Sequence, residues 1–176
     1  MAMFATMTQF PKILAVLLVG VAVTSAVAQP APQKIGDFRD WSAWLYRDGD
    51  TKVCFITSEP KRSQPDNVRR GDIRFNVAHR PTEGVEGEVS MIVGYPFEAN
   101  SAATARIDGT TVTLRTDGER AWTSVPADDQ KLVNGMKAGL EMVVRGKSSR
   151  GTETTDTYSL LGFSAAFGAI NKACAK

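Results

Sequence analysis

The chain carries two cysteines, Cys54 and Cys174, at opposite ends of the segment that follows an export signal. An even cysteine count in an exported chain implies a disulfide, and two cysteines leave one intramolecular pairing. Closing a loop of about 120 residues stabilises the folded state by about 5 kcal/mol if the bridge acts by restricting the unfolded chain. The pairing also constrains architecture, because whatever element holds Cys174 must pack on whatever holds Cys54. A structural bridge is expected, since no closely spaced Cys-x-x-Cys pair is present for redox work.

Residues 1–28 read as a secretory signal peptide. Lys12 supplies the positive start, residues 13–23 are apolar, and Ala26-Val27-Ala28 is the small-x-small pattern that precedes cleavage before Gln29. The apolar run is shorter than the ~20 residues a spanning helix requires, which favours cleavage over an uncleaved anchor. No cysteine follows it to accept a lipid, so no stable membrane span or lipid anchor is expected after cleavage. Removing the signal lowers the net charge from +2 to +1. That near-neutral balance argues against a nucleic-acid binder.

Residues 29–37, which open Gln-Pro-Ala-Pro-Gln-Lys, are expected to form an extended, loosely held arm ahead of a single domain over 38–176. Beyond the arm, short runs of period-two alternation break at turn residues, the pattern of antiparallel strands. They cover residues 38–46, 52–57, the run through Ile73, Phe75, Val77 and His79, then 88–94, 104–107, 111–115, a short strand at Trp122, 140–145 and 155–161. Val53 to Ile56 are apolar on both faces, which predicts a strand deep in a sheet. Ser58 to Gly71 carries two prolines and reads as a long exposed loop.

Two helices are expected. The first spans 128–137, capped by Asp128, closed by Gly139 and striped by Leu132, Val133 and Met136. The second starts from an N-cap at Ser164 and aligns Phe163, Phe167, Ile170 and Cys174 on one face. The expected fold is mainly β, an antiparallel β-sandwich or half-open barrel with a short internal helix and a C-terminal helix clamped by the disulfide.

Residues that could do chemistry are sparse. His79, the single histidine, is expected to be hydrogen-bonded at the core rim rather than to act as a general base. Gly162-Phe163-Ser164-Ala165-Ala166 lacks the last glycine of a nucleophile elbow. One histidine and two bonded cysteines cannot ligate zinc, Asp48 and Asp50 lack the ligand spacing of a calcium loop, and phosphate and dinucleotide fingerprints are missing. No catalytic residue, metal or cofactor is therefore expected. Two surface features are candidates for partner contact. One is a basic loop of Lys61, Arg62, Arg69 and Arg70, whose simpler reading is a solvated loop. The other is a hydroxyl-rich patch of Arg150, Thr152, Thr154 and Asp156, whose simpler reading is a hairpin turn with threonines facing water.

A set of local motifs is familiar. Asp40-Trp41, Val53-Cys54 with Pro60 beyond, Arg80-Pro81, Glu88-Val89-Ser90 running to Gly94-Tyr95-Pro96-Phe97, Ala121-Trp122, Leu132-Val133 with Met136, Arg150-Gly151-Thr152, Thr155 to Leu160, and Cys174 follow one another along nearly the whole of residues 29–176. In these the chain resembles the invasion-associated locus B family of exported bacterial proteins. Some members carry a further early cysteine after the Asp-Trp, where this chain has Trp44 and Leu45. The resemblance implies a periplasmic or outer-membrane-associated protein, linked in some pathogens to invasion of host cells, and supplies no catalytic residue to carry over. The leading expectation is a non-enzymatic interaction protein with an envelope or host-surface protein as its partner. The alternatives are an envelope enzyme or small-ligand binder acting on cell-wall carbohydrate or peptide, and a periplasmic stress or inhibitor protein.

Overall fold

The computed structural model describes residues 30–175, so the expected signal peptide lies outside the described residues. The strands are β1 (Gln33–Phe38), β2 (Trp41–Asp48), β3 (Thr51–Ser58), β4 (Arg62–Gln64), β5 (Arg74–Arg80), β6 (Val85–Ile92), β7 (Ala102–Ile107), β8 (Thr110–Asp117) and β9 (Arg120–Trp122). Helix α1 (Pro126–Ala138), β10 (Glu141–Lys147), β11 (Glu153–Ser159) and α2 (Phe163–Cys174) complete the chain. All eleven strands join one antiparallel sheet in the order β1-β2-β3-β5-β6-β9-β8-β7-β10-β11-β4. The sheet is open, as a half-open barrel would be, and its strands are not divided into the two sheets of a sandwich.

Connectivity forces this sheet to curl. Only residues 59–61 separate β3 from β4, yet the two strands stand eight places apart in the sheet. A flat sheet with strands about 4.8 Å apart would separate them by about 38 Å, whereas four Cα steps reach about 15 Å. Three hydrogen bonds hold the curl where the far strands meet. The Trp41 indole N–H donates to the Ser159 carbonyl at 3.0 Å, Asp40 N–H to Leu161 O at 3.3 Å, and Lys61 N–H to Thr157 O at 2.7 Å.

The curl encloses one core. Trp41, Ala43, Cys54, Ile56, Phe75, Val77, Val89 and Met91 line its first half, and Ala103, Ala105, Leu114, Met142, Val144 and Tyr158 line the second. The expected faces hold for both helices: Leu132, Val133 and Met136 of α1 and Phe163, Phe167, Ile170 and Cys174 of α2 are all buried. Trp41 meets Phe163 edge to face at a centroid distance of 5.0 Å. Helix α1 is pinned by Asp129, whose Oδ1 accepts the Val89 N–H at 2.8 Å and the Thr123 hydroxyl at 2.6 Å. The expected bridge is present between β3 and α2, with the Cys54 and Cys174 Cα atoms 6.0 Å apart.

Several local expectations are corrected. The arm is not loose throughout, because from Gln33 it forms β1 and pairs with β2. Arg39, at φ +56°, turns the chain between them, so the second strand starts at Trp41 rather than Phe38. Strand β3 buries one face only: Cys54, Ile56 and Ser58 point inward, while Val53, Phe55 and Thr57 are half-buried on the outside. The 58–71 loop contains β4, paired with β11. Helix α1 begins at Pro126, whose missing N–H is harmless in a first turn, so Asp128 lies inside the helix instead of capping it. Gly162, at φ +92°, precedes α2 in place of Ser164, which sits within the first turn.

Candidate functional site

The two surface features expected from the sequence meet inside the protein. Thr154, Asp156 and Tyr158 alternate along β11 and all point inward, with Asp156 1% exposed. Arg70 reaches them from the basic loop because two glycine backbones touch beside it. Gly71 N–H donates to Gly94 O at 2.9 Å, and a Cβ on Gly94 would lie 2.5 Å from the Gly71 carbonyl oxygen. Gly94 also holds φ +70°, a left-handed conformation that side chains disfavour. This contact brings Arg70 against Val93, whose carbonyl accepts the Arg70 Nε–H at 3.0 Å.

The guanidinium then grips Asp156 with two parallel bonds of 2.7 Å each. The side chains are 6% and 2% exposed. Tyr95 covers the guanidinium with its ring centroid 4.9 Å away, and its hydroxyl is 2.6 Å from Thr154 Oγ1. Tyr158 lies buried beside the pair. Burial pushes its phenol well above the ordinary range, and the Asp156 charge adds to the shift. A bidentate, stacked and desolvated pair of this kind is strong once formed and severe when halved. With both carboxylate oxygens and the guanidinium engaged, its chemistry is that of a scaffold. Replacing Gly94 with alanine is expected to destabilise the fold by about 2–3 kcal/mol, from the left-handed φ and the Gly71 clash together. Urea unfolding measures it.

The remaining candidates scatter. Thr154 and Asp156 leave the hydroxyl patch for the interior, whereas Arg150 and Thr152 stay at the β10–β11 turn, with Arg150 exposed. In the basic loop Lys61 pairs with Asp40, Arg62 pairs with Glu141 at 3.5 Å, and Arg69 is exposed. Lys61 and its hydrogen bond hold the Asp40 carboxyl below its ordinary value. His79 is 4% exposed. Its Nδ1 accepts the Gly87 N–H at 2.9 Å, so the ring proton sits on Nε2 and donates to Asn171 Oδ1 at 2.7 Å. Both nitrogens are committed to tying β5 to β6 and α2. A cavity of about 350 Å³ adjoins the ring, lined by Pro81, Val85, Glu86, Asn171 and Cys174.

One surface stands out instead. Leu140 is 75% exposed and Leu161 49%. Leu160 N–H donates to Leu140 O at 3.0 Å, which sets the α1–β10 and β11–α2 connections side by side. Asp40 N–H, bonded to Leu161 O, adds the β1–β2 turn with exposed Arg39. The Lys61–Asp40 and Arg62–Glu141 pairs flank the same end. Sequence alternation missed both leucines, because Leu140 sits one residue before β10 and Leu161 two after β11, where parity no longer fixes a face.

The family model described as Invasion associated locus B (IalB) protein matches residues 41–171. The chain belongs to the invasion-associated locus B family. No curated protein and no solved structure matches it. The span shared with the IalB family begins at the first residue of β2 and ends in α2, so it takes in Cys54, the Arg70–Asp156 pair and both exposed leucines. The disulfide fits an exported, non-cytoplasmic protein. Among the described residues, no helix is long and apolar enough to cross a membrane.

Proposed function

We propose that this IalB-family protein works in the bacterial envelope, in the periplasm or at the outer membrane, by binding another protein through the leucine-bearing end of its sheet. It acts by binding rather than by catalysis. The observation that carries this is the exposure of Leu140 and Leu161, 75% and 49%, on a body whose other large apolar side chains are mostly covered. Two adjacent leucines in water weaken solubility and add nothing to the core, whereas a partner that covered them would gain their transfer free energy. Arg39 beside them is exposed and makes no ion pair among the described residues, which suits a partner with an acidic group beside an apolar centre.

Replacing both leucines with aspartate tests the reading. The expected double variant unfolds within about 1 kcal/mol of the parent, since both side chains are outside the core. Deletion of the gene is expected to reduce host-cell invasion. The parent restores it on complementation and the Leu140→Asp/Leu161→Asp variant does not. Full restoration by a correctly folded double variant overturns the proposed surface, and unchanged invasion after deletion overturns the invasion role.

A further inference from the structure

Away from the leucine end, a second feature points to a ligand of different chemistry. A cleft of about 380 Å³ opens between the start of β6 and the N-terminus of α1. That volume lies within the range of small-molecule sites. Its lining includes apolar Trp122, Val125 and Pro126, with Val125 49% exposed, and the acidic residues Glu86, Glu88 and Asp129.

The three acids are not equivalent. Glu88 is neutralised by Arg80, which grips both its oxygens and also holds Glu83 at 2.8 Å. Glu86 is exposed and makes no ion pair among the described residues. Asp129 is 8% exposed, yet only its Oδ1 is used, by Val89 N–H and the Thr123 hydroxyl. Its Oδ2 receives no hydrogen bond from the described residues and is not sealed from the cleft that Asp129 lines. Open to the cleft, that oxygen is free to accept a hydrogen bond from a bound cation. The charges acting on Asp129, Glu88 and Asp128, are both acidic, and burial, the larger cause, also drives its carboxyl above the ordinary value.

We infer that the cleft binds an ammonium or guanidinium group carried on an aliphatic stem, with the cation on Asp129 Oδ2 and the stem along Trp122, Val125 and Pro126. The cation donates to Oδ2, Glu86 adds a second negative charge to the cleft lining, and the indole adds cation–π attraction. The site is separate from the leucine end and stands whether or not that surface binds a protein.

The probe is n-pentylamine hydrochloride, titrated into the oxidised ¹⁵N-labelled protein at constant ionic strength, with 1-pentanol as the uncharged control. Saturable shifts are expected at the Trp122 indole N–H and the Val89 and Thr123 amides, and 1-pentanol should leave them in place. Asp129→Asn keeps an Oδ1 acceptor for Val89 and Thr123 while removing the charge, and is expected to weaken binding at least tenfold. Glu86→Gln, at an exposed position, should weaken it two- to threefold and decides the matter if Asp129→Asn does not fold. Equal shifts with the alcohol, non-saturating shifts spread over every acidic surface, or an affinity untouched by the charge removal overturns the site.

Discussion

Replacing Cys54 and Cys174 together with alanine is expected to lower stability by about 4–5 kcal/mol, because the unfolded chain regains a loop of about 120 residues. For a domain of this size the loss corresponds to a fall in Tm of about 10–20 °C. The folded contacts of α2 would largely remain. Phe163, Ala166 and Ile170 are almost fully buried, and Phe163 keeps its edge-to-face contact with Trp41. The variant should therefore fold with the same helix docked, yet unfold at much lower urea. Unfolding curves of the parent, oxidised and reduced, and of the double variant measure this. A loss below about 1 kcal/mol would mean that the bridge records proximity and contributes little.

Asp156→Ala is expected to cost about 3–5 kcal/mol, since it strands the Arg70 guanidinium in a nearly solvent-free interior. Arg70→Met should be comparably harmful, leaving a buried carboxylate with no cation. The combination Arg70→Met/Asp156→Leu removes both charges and replaces them with apolar side chains of similar length. It should recover most of the loss, so the two single changes are strongly non-additive. Denaturant unfolding of the four proteins closes the cycle. If each single change costs less than about 1 kcal/mol, water reaches the pair and the packing around it is looser than described.

How much of this was legible in the sequence depends on the range of each interaction. Alternation through Phe75, Val77 and His79, and the spacing of Phe163, Phe167, Ile170 and Cys174, are local patterns, and each gave the correct buried face. Strands β1 and β4 carry little apolar signal. They exist because backbone groups at a sheet edge find a neighbour, and for β4 that neighbour arrives only when the sheet curls. Arg70 and Asp156 lie 86 residues apart, and no local pattern couples them. Each looked like surface because charge usually is. A clue lay in parity, since Asp156 shares a face with Tyr158, and the strand carries that face inward. Several motifs that carried the family resemblance, Val53-Cys54, Gly94-Tyr95, Thr155 to Leu160 and Cys174, fall on the disulfide and this buried pair. That explains why they fixed the fold more clearly than the function.

The polar residues that first suggested a partner surface are in part building material, and the contact surface we propose lies at the exposed leucines. In-cell photo-crosslinking tests that claim most directly. A photoreactive amino acid is placed at Leu140, at Leu161 and, as the control, at Arg150 on the opposite end of the β10–β11 hairpin. A discrete protein adduct from positions 140 and 161, weakened by raised salt and missing from position 150, is the predicted result. An adduct from position 150 with none from 140 or 161 would contradict it.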